Sequence, residues 1–300
     1  ALRDVLNLSE GMTYKNSLAG LNIGGGKSVI VGDTREFEGD AREALLEVFG
    51  RAVDTFDGRY YTAEDIGTSV SDMEIILRST RFVVGGDLSH GGAGDPSPHT
   101  ARGVFDGIRA CLERVFDSDS LEGRHVAVQG IGHVGFYLVE RLAKAGARLT
   151  ITDTKEERVQ EICKQFGASA VGLNDIYDVS CDVFAPCAVG GIINEQTVPR
   201  LNCKIVAGAA NNQLRTPEAG ELLAKRGIIY APDFAINAGG VIMVSKELKE
   251  SGVSDDAKVE AALARIYRTV GDIIDQSKQT GELTGAVALR LAKERIEAQR

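Results

Sequence analysis

HVAVQGIGHVG, residues 125–135, is an apolar, β-branched run that ends in three glycines spaced as GxGxxG. The spacing alone is a weak signal, and its context supplies the strength. Val134, Leu138 and Leu142 follow at helical intervals. A second apolar run, RLTITD (148–153), then ends in Asp153, eighteen residues past Gly135. Strand, glycine turn, helix and strand ending in an acid together form a dinucleotide-binding unit. Gly130 permits the tight turn, Gly132 lets the backbone approach a pyrophosphate, and Gly135 lets helix and strand pack closely. Ile131, His133 and Val134 lie between them, at the start of a helix whose N–H groups and partial positive charge suit an anion. Asp153 would accept from a ribose 2′-hydroxyl and repel a 2′-phosphate, so NAD is expected over NADP. His133, at a variable position of the motif, reads as solvent-facing rather than catalytic.

Outward from this unit, CDVFAPCA (181–188), KIVAGAAN (204–211) and GIIYAPD (227–233) read as further strands, with helical patterns separating most of them. Such alternation predicts a parallel sheet with right-handed crossovers, and ligands of such sheets bind beyond the carboxyl ends of the strands. Those ends here are Gly130, Asp153, the APCA run and the GAAN run. After the last strand, Val259, Leu263, Ile266, Val270 and Ile273 mark one packed helix face. Gly281 can end that helix, and 285–298 reads as another.

The first hundred residues have a different texture. Residues 2–18 read as a helix with Leu2, Val5, Leu6 and Met12 on one face, and 40–53 as a second. Ser71 and Glu74 form a possible capping box opening a third. GLNIGGGK leads into SVIVG (28–32), read as a short strand. GGDLSHGGAGDPSPH (85–99) carries five glycines and two prolines and reads as a linker or mobile loop.

The 300 residues suit two domains better than one. A net charge of −9 with interspersed signs argues against nucleic acid, which needs a basic patch. No apolar run approaches the roughly 20 residues that span a bilayer. The opening ALRDVLNLSE has neither a basic n-region nor an apolar h-region, so no secretory signal is expected and a cytoplasmic location is. Cys111, Cys163, Cys181, Cys187 and Cys203 are odd in number and form no CxxC, which indicates free thiols and neither a disulfide framework nor a metal site.

Lys15 and Lys27 stand twelve residues apart, the second after three glycines. Glycines beside a lysine suggest close backbone approach to a ligand. An amine acting as a base near neutral pH must lose proton affinity through burial or a neighbouring cation, and a second lysine would also bind a carboxylate. Asp65 could trade protons with an amino group, although alone it reads as a turn residue. A phosphate-binding P-loop at GGGKS fails on spacing, because the required glycine position is Leu21.

GMTYKNSLAGLNIGGGKSVIVGD, TAEDIGTSVSDMEII, DPSPHTARGV, VQGIGHVG, FAPCAVGGIIN, AGAANNQL and YAPDFAINAGGVI occur in this order. Together they resemble the signatures of the glutamate/leucine/phenylalanine/valine dehydrogenase family over nearly the whole chain, and most resemble its leucine dehydrogenases. The resemblance implies a substrate and assembly domain of α/β type at 1–100, completed by C-terminal helices from about 272 to 300. It also implies a Rossmann-type, doubly wound NAD-binding domain at 101–271, with a cleft between the two. Lys27 matches the catalytic lysine, Lys15 the lysine that binds the substrate α-carboxylate, and Asp65 the aspartate that handles the amino-group proton. Thr100 matches a threonine near the nicotinamide. Cys187, Ala188, Ala209, Ala210 and Asn211 match positions lining the cofactor, and Asn211 also reaches the substrate. Cys187 is therefore expected to be a cofactor neighbour rather than a nucleophile.

Specificity is implied in the same way. Glutamate-specific members carry a serine where this chain has Val244, and Val241 is also apolar. A carboxylate facing valine would be desolvated without a partner, at a cost of several kcal/mol. Ala63 resembles leucine dehydrogenases, where phenylalanine enzymes tend to have glycine. Family members carry some tens of residues ahead of this chain's start, including a pocket-shaping glycine segment and an assembly strand. The sequence is accordingly expected to be a fragment or a short member.

The implied reaction is deamination of an apolar, branched L-amino acid to its 2-oxo acid and ammonia, by a homo-oligomer. Its carboxylate sits on Lys15, and Asp65 removes a proton from the ammonium. Hydride leaves Cα for the nicotinamide, giving an imine. Lys27 activates a water that attacks the imine, with closure at the 85–99 loop excluding bulk solvent. Phenylalanine, valine and tryptophan dehydrogenases are the alternatives within the family. A non-catalytic NAD-binding regulator is the alternative outside it, against which both lysines and Asp65 count.

Overall fold

Residues 1–32, 36–65, 67–87, 89 and 92–299 are described in a computed structural model of the chain, without the side chains of Asp4 and Lys249. Leu88, His90 and Gly91 of the expected 85–99 loop, and Asp33 and Ile66 of the quoted motifs, lie outside the described residues. Contacts divide the chain into two units, Ala1–Pro96 with Val241–Glu260, and Ser97–Gly240 with Ala261–Arg300.

In the first unit, the helices are α1 (Leu2–Leu18), α2 (Gly39–Asp54) and α3 (Val70–Leu77). Leu46, Met73, Ile76 and Val83 make its core where α2 meets α3. The box that opens α3 is Ser69 with Asp72, two residues ahead of the expected Ser71 and Glu74. Tertiary structure makes the choice, because Asp72 also takes Arg42 of α2 in a bidentate pair with both contacts at 2.8 Å. SVIVG is not a strand among the described residues. Val29 and Val31 are 50% and 81% exposed, and a strand forms only where a neighbouring backbone accepts its hydrogen bonds. Backbone pairing in this unit is confined to a parallel bridge between Thr62 and Val83 among the described residues. On the apolar face of α1, Leu2 and Leu6 are exposed.

The second unit begins with α4 (Ser97–Phe116), followed by β1 (His125–Gln129), α5 (His133–Lys144), β2 (Arg148–Thr152), α6 (Glu156–Phe166), β3 (Ser169–Ala170) and β4 (Val183–Pro186). Then come β5 (Ile205–Val206), α7 (Pro217–Lys225), β6 (Ile229–Tyr230) and α8 (Asp233–Ile236). The sheet order is β3-β2-β1-β4-β5-β6 with every pair parallel, the doubly wound arrangement expected. The order reverses between β1 and β4, which makes their carboxyl ends a switch-point crevice. The central strands are buried on both faces, as their unbroken apolar runs require. The two-residue β3 has no apolar signature, since Ser169 and Ala170 are both exposed, and only its pairing with β2 defines it.

Helix α9 (Gly239–Val244) crosses the division, and α10 (Asp256–Thr280) and α11 (Thr284–Glu297) close the chain. The packed face read from Val259 to Ile273 is buried throughout. The expectation that 272–300 completes the first unit is corrected by the contacts. These residues pack in the second unit, where Thr284 Oγ1 donates to Tyr230 O at 2.7 Å and Lys278 Nζ to Arg114 O at 2.7 Å. The segment that returns to the first unit is 241–260. There Ser251 O accepts from Asn22 N at 3.0 Å, and Glu247 Oε1 accepts from Gly85 N and Ala93 N at 2.9 and 2.7 Å.

Candidate active site

At the switch point of the second unit, backbone bonds fix the glycine turn. Gly130 N donates to Thr152 O at 2.8 Å and Cys187 N to Gln129 O at 2.7 Å. Gly130 has φ +94°, and a Cβ there would lie 2.6 Å from that of Ala188. A Cβ on Gly135 would collide with Gly130 O, so this glycine sets the closeness of α5 to β1. A Cβ on Gly132 would meet nothing within 4 Å, and no side chain caps the N-terminus of α5. The turn is thus open where a pyrophosphate would lie, with a helix N-terminus facing that space.

Asp153 Oδ2 accepts from Ile131 N at 2.7 Å and Oδ1 from Lys155 N at 3.0 Å. Burial pushes this carboxyl up, but those two N–H donors, the Thr154 hydroxyl and the Arg158 charge together hold it below its ordinary value. It is a carboxylate at neutral pH, as hydrogen bonding to a ribose hydroxyl and rejection of a 2′-phosphate both require. Ile131 is buried beneath the turn, Val134 is half-buried, and Gly132 and His133 are exposed.

Ala188 and Asn211 are exposed, Ala209 half-buried and Ala210 buried, all at the carboxyl ends of β4 and β5. Burial pushes the Cys187 thiol up to about 12, with a backbone bond near Ala209 opposing, so it is protonated and a poor nucleophile. Thr100 lies half-buried in the first turn of α4.

Two side chains here escaped the sequence reading. Gln213, fully buried, donates through Nε2 to Gly208 O and Ala210 O at 2.8 and 3.0 Å. Asn237 donates through Nδ2 to Ala209 O at 3.0 Å and to Asn211 Oδ1 at 2.8 Å. Together they mould the 208–211 loop and orient Asn211. Their signal is a polar residue of zero or near-zero exposure, which a sequence does not display.

In the first unit, Lys27 Nζ is paired with Asp65 Oδ2, the lysine side chain being 24% exposed. Asp65 is held by a turn in which its N–H meets Thr68 Oγ1 at 2.9 Å and its carbonyl receives that hydroxyl at 2.9 Å. The Thr62–Val83 bridge anchors the approach to this turn, leaving Ala63 exposed between them. Lys15 stands in the last turn of α1. Val241 and Val244 are half-buried in the same unit, Val244 Cγ1 being 3.7 Å from where a Cβ on Gly85 would sit. The structure therefore joins Lys27 to Asp65 directly. The remaining expected residues fall into two sets, with Lys15, Ala63, Val241 and Val244 in the first unit and the dinucleotide set with Asn211 in the second.

A doubly wound parallel sheet with an open glycine turn at its switch point, and an amine–carboxylate pair on a glycine loop, are the parts of a dinucleotide-dependent dehydrogenase. The chain belongs to the glutamate/leucine/phenylalanine/valine dehydrogenase family. The profile of that family matches residues 148–300, and its dimerisation-domain profile matches residues 1–82. Leucine dehydrogenase of Geobacillus stearothermophilus is 48% identical over 300 residues, all of this chain and 80% of the relative. Valine dehydrogenase of Streptomyces virginiae is 45% identical, again over all of this chain and 83% of the relative. The crystal structure of L-tryptophan dehydrogenase from Nostoc punctiforme superposes with a TM-score of 0.83 at 40% identity, covering this chain fully and 84% of that one. The protein is an amino-acid dehydrogenase, an oxidoreductase dependent on a pyridine nucleotide.

Proposed function

We propose that the protein catalyses reversible, NAD-dependent oxidative deamination of a branched-chain L-amino acid, leucine fitting best, to the 2-oxo acid and ammonia. The observation that carries this reading is the Lys27–Asp65 pair on the glycine loop. Similarity to leucine dehydrogenases over the full chain supports the substrate, and Val241 and Val244 offer a carboxylate side chain no partner. The ionised Asp153 supports NAD over NADP. The first unit is read as the substrate unit, the second as the cofactor unit, and the whole as a cytoplasmic homo-oligomer.

The dinucleotide, held by Gly130–Gly135, Asp153, Cys187, Ala188, Ala209, Ala210, Asn211 and Thr100, supplies the two-electron acceptor when bound. Lys15 holds the substrate carboxylate by charge. Asp65 takes the proton that the substrate ammonium must lose before oxidation. Lys27 removes a proton from the water that adds to the resulting imine, and returns one to the departing amine. In their contact the Asp65 carboxylate favours the ammonium form of Lys27, and its neutralisation by the substrate proton lowers the proton affinity of the amine before the water step.

Steady-state rates for leucine, isoleucine, valine, phenylalanine and glutamate, each with NAD and NADP, test the assignment. The highest kcat/KM is expected for leucine with NAD. Preference for an aromatic or acidic substrate, or for NADP, would refute it. Valine is the second reading, because the similarity to valine dehydrogenase also spans the chain.

A further inference from the structure

We propose that Asn16 and Tyr60 are positioning residues that clamp the Gly24–Ser28 loop from two sides and so hold Lys27 at Asp65. The inference rests on the reading of Lys27 as the proton-handling amine.

Asn16 is on α1, one residue past Lys15, and is 3% exposed. Its Nδ2 donates to Gly24 O at 2.5 Å. Its Oδ1 is buried with no hydrogen-bond partner. An unsatisfied amide oxygen in a helix interior is unfavourable for stability. Placement of the loop is a use that accounts for it. Gly25 lies directly on the α1 backbone, where a Cβ would be 2.6 Å from the Met12 carbonyl carbon and would collide with Ser9 and Thr13. The loop is therefore seated on the helix that carries Lys15.

Tyr60 meets the other side. Its ring covers Gly26, where a Cβ would be 2.7 Å from Cε2. Its hydroxyl receives the Ser28 hydroxyl proton at 2.6 Å. Both neighbours of Lys27 are thus held by one side chain, leaving Lys27 itself to reach Asp65. Displacement of a reacting group by about 1 Å can cost on the order of a hundredfold in rate, so this seating bears on turnover.

The test compares Asn16→Ala, Tyr60→Ala, Tyr60→Phe and Lys27→Ala in the full chain. The readouts are kcat, KM for amino acid and cofactor, the pH profile of kcat, NADH binding by fluorescence, and the thermal midpoint. We expect Asn16→Ala and Tyr60→Ala to lower kcat by about 30- to 100-fold. NADH affinity should be unchanged and the limbs of the pH profile displaced. Tyr60→Phe, which keeps the ring on Gly26, should lower kcat by about five- to tenfold at an unchanged thermal midpoint. This variant keeps the test open if Asn16→Ala fails to fold. Wild-type kcat and pH profile in the clamp variants, beside an inactive Lys27→Ala, would overturn the clamp alone, as would losses that follow the folded fraction with the profile unmoved. An active Lys27→Ala would overturn the reading beneath it.

Discussion

Asp153 serves the fold at the same position that the proposed function gives it toward a ribose. Each of its oxygens already takes a backbone N–H, from Ile131 and from Lys155, which pins the glycine turn to the end of β2. Asparagine would set an N–H₂ against one of those donors and remove the charge. Asp153→Asn is expected to raise KM for NAD by about tenfold, the equivalent of one charge-assisted hydrogen bond, and to narrow the preference over NADP. Initial rates with both nucleotides measure this. An unchanged NAD:NADP ratio would show that the carboxylate does not face the ribose. Asp153 was legible as a candidate because the pattern that picks it out is spacing within one βαβ unit. Lys27 and Asp65, 38 residues apart, became a pair in the sequence only through family resemblance, because nothing in their local context encodes the contact. Asn16 and Tyr60 carried no signal at all, since a buried amide and a ring over a glycine are facts of packing.

At the scale of elements, the α2–α3 junction depends on Asp72, which is 4% exposed and receives Arg42 and Ser69. The Arg42 guanidinium lowers its carboxyl most, burial opposes, and Ser69 assists. The folded-state value is depressed, so this stabilisation is fully present above the unfolded carboxylate value of about 3.9 and is lost as pH falls through the folded one. Asp72→Asn should destabilise the first unit by about 2 kcal/mol at pH 7. The deficit should shrink as pH falls below about 4, as urea unfolding at several pH values would reveal. A deficit independent of pH would mean that the charge does not matter. The same residue explains the misplaced cap: Ser71 with Glu74 and Ser69 with Asp72 are both serine–acid pairs at the right spacing, and Arg42 from another helix decides between them. The β1–α5–β2 unit was readable nearly to its boundaries because its signals are local. SVIVG carries the composition of a strand but finds no pairing among the described residues, and β3 pairs without any strand composition.

For the molecule as a whole, the five cysteines are free, and burial pushes Cys111, Cys181 and Cys187 up to about 12 and Cys203 up to about 11. Only the thiolate reacts readily, so iodoacetamide at pH 8 should label the native protein slowly, and chiefly at Cys163, which is partly exposed like Cys181 and Cys187 but is pushed up less by burial. All five should react after denaturation. Rapid loss of Cys187 in the native protein would contradict the environment described for it. Among the described residues no helix is long and apolar enough to cross a membrane. The dinucleotide turn and the Lys27–Asp65 pair belong to different contact units, so their contributions should separate when either is altered.

That separation permits the most direct measurement, single-turnover deamination of leucine by Lys27→Ala alongside NADH titration of the same sample. We expect product formation to fall by about a thousandfold or more, with the NADH dissociation constant within about twofold of the parent. Turnover at the parental rate, or loss of NADH binding in proportion to loss of turnover, would contradict the assignment of proton transfer to that amine.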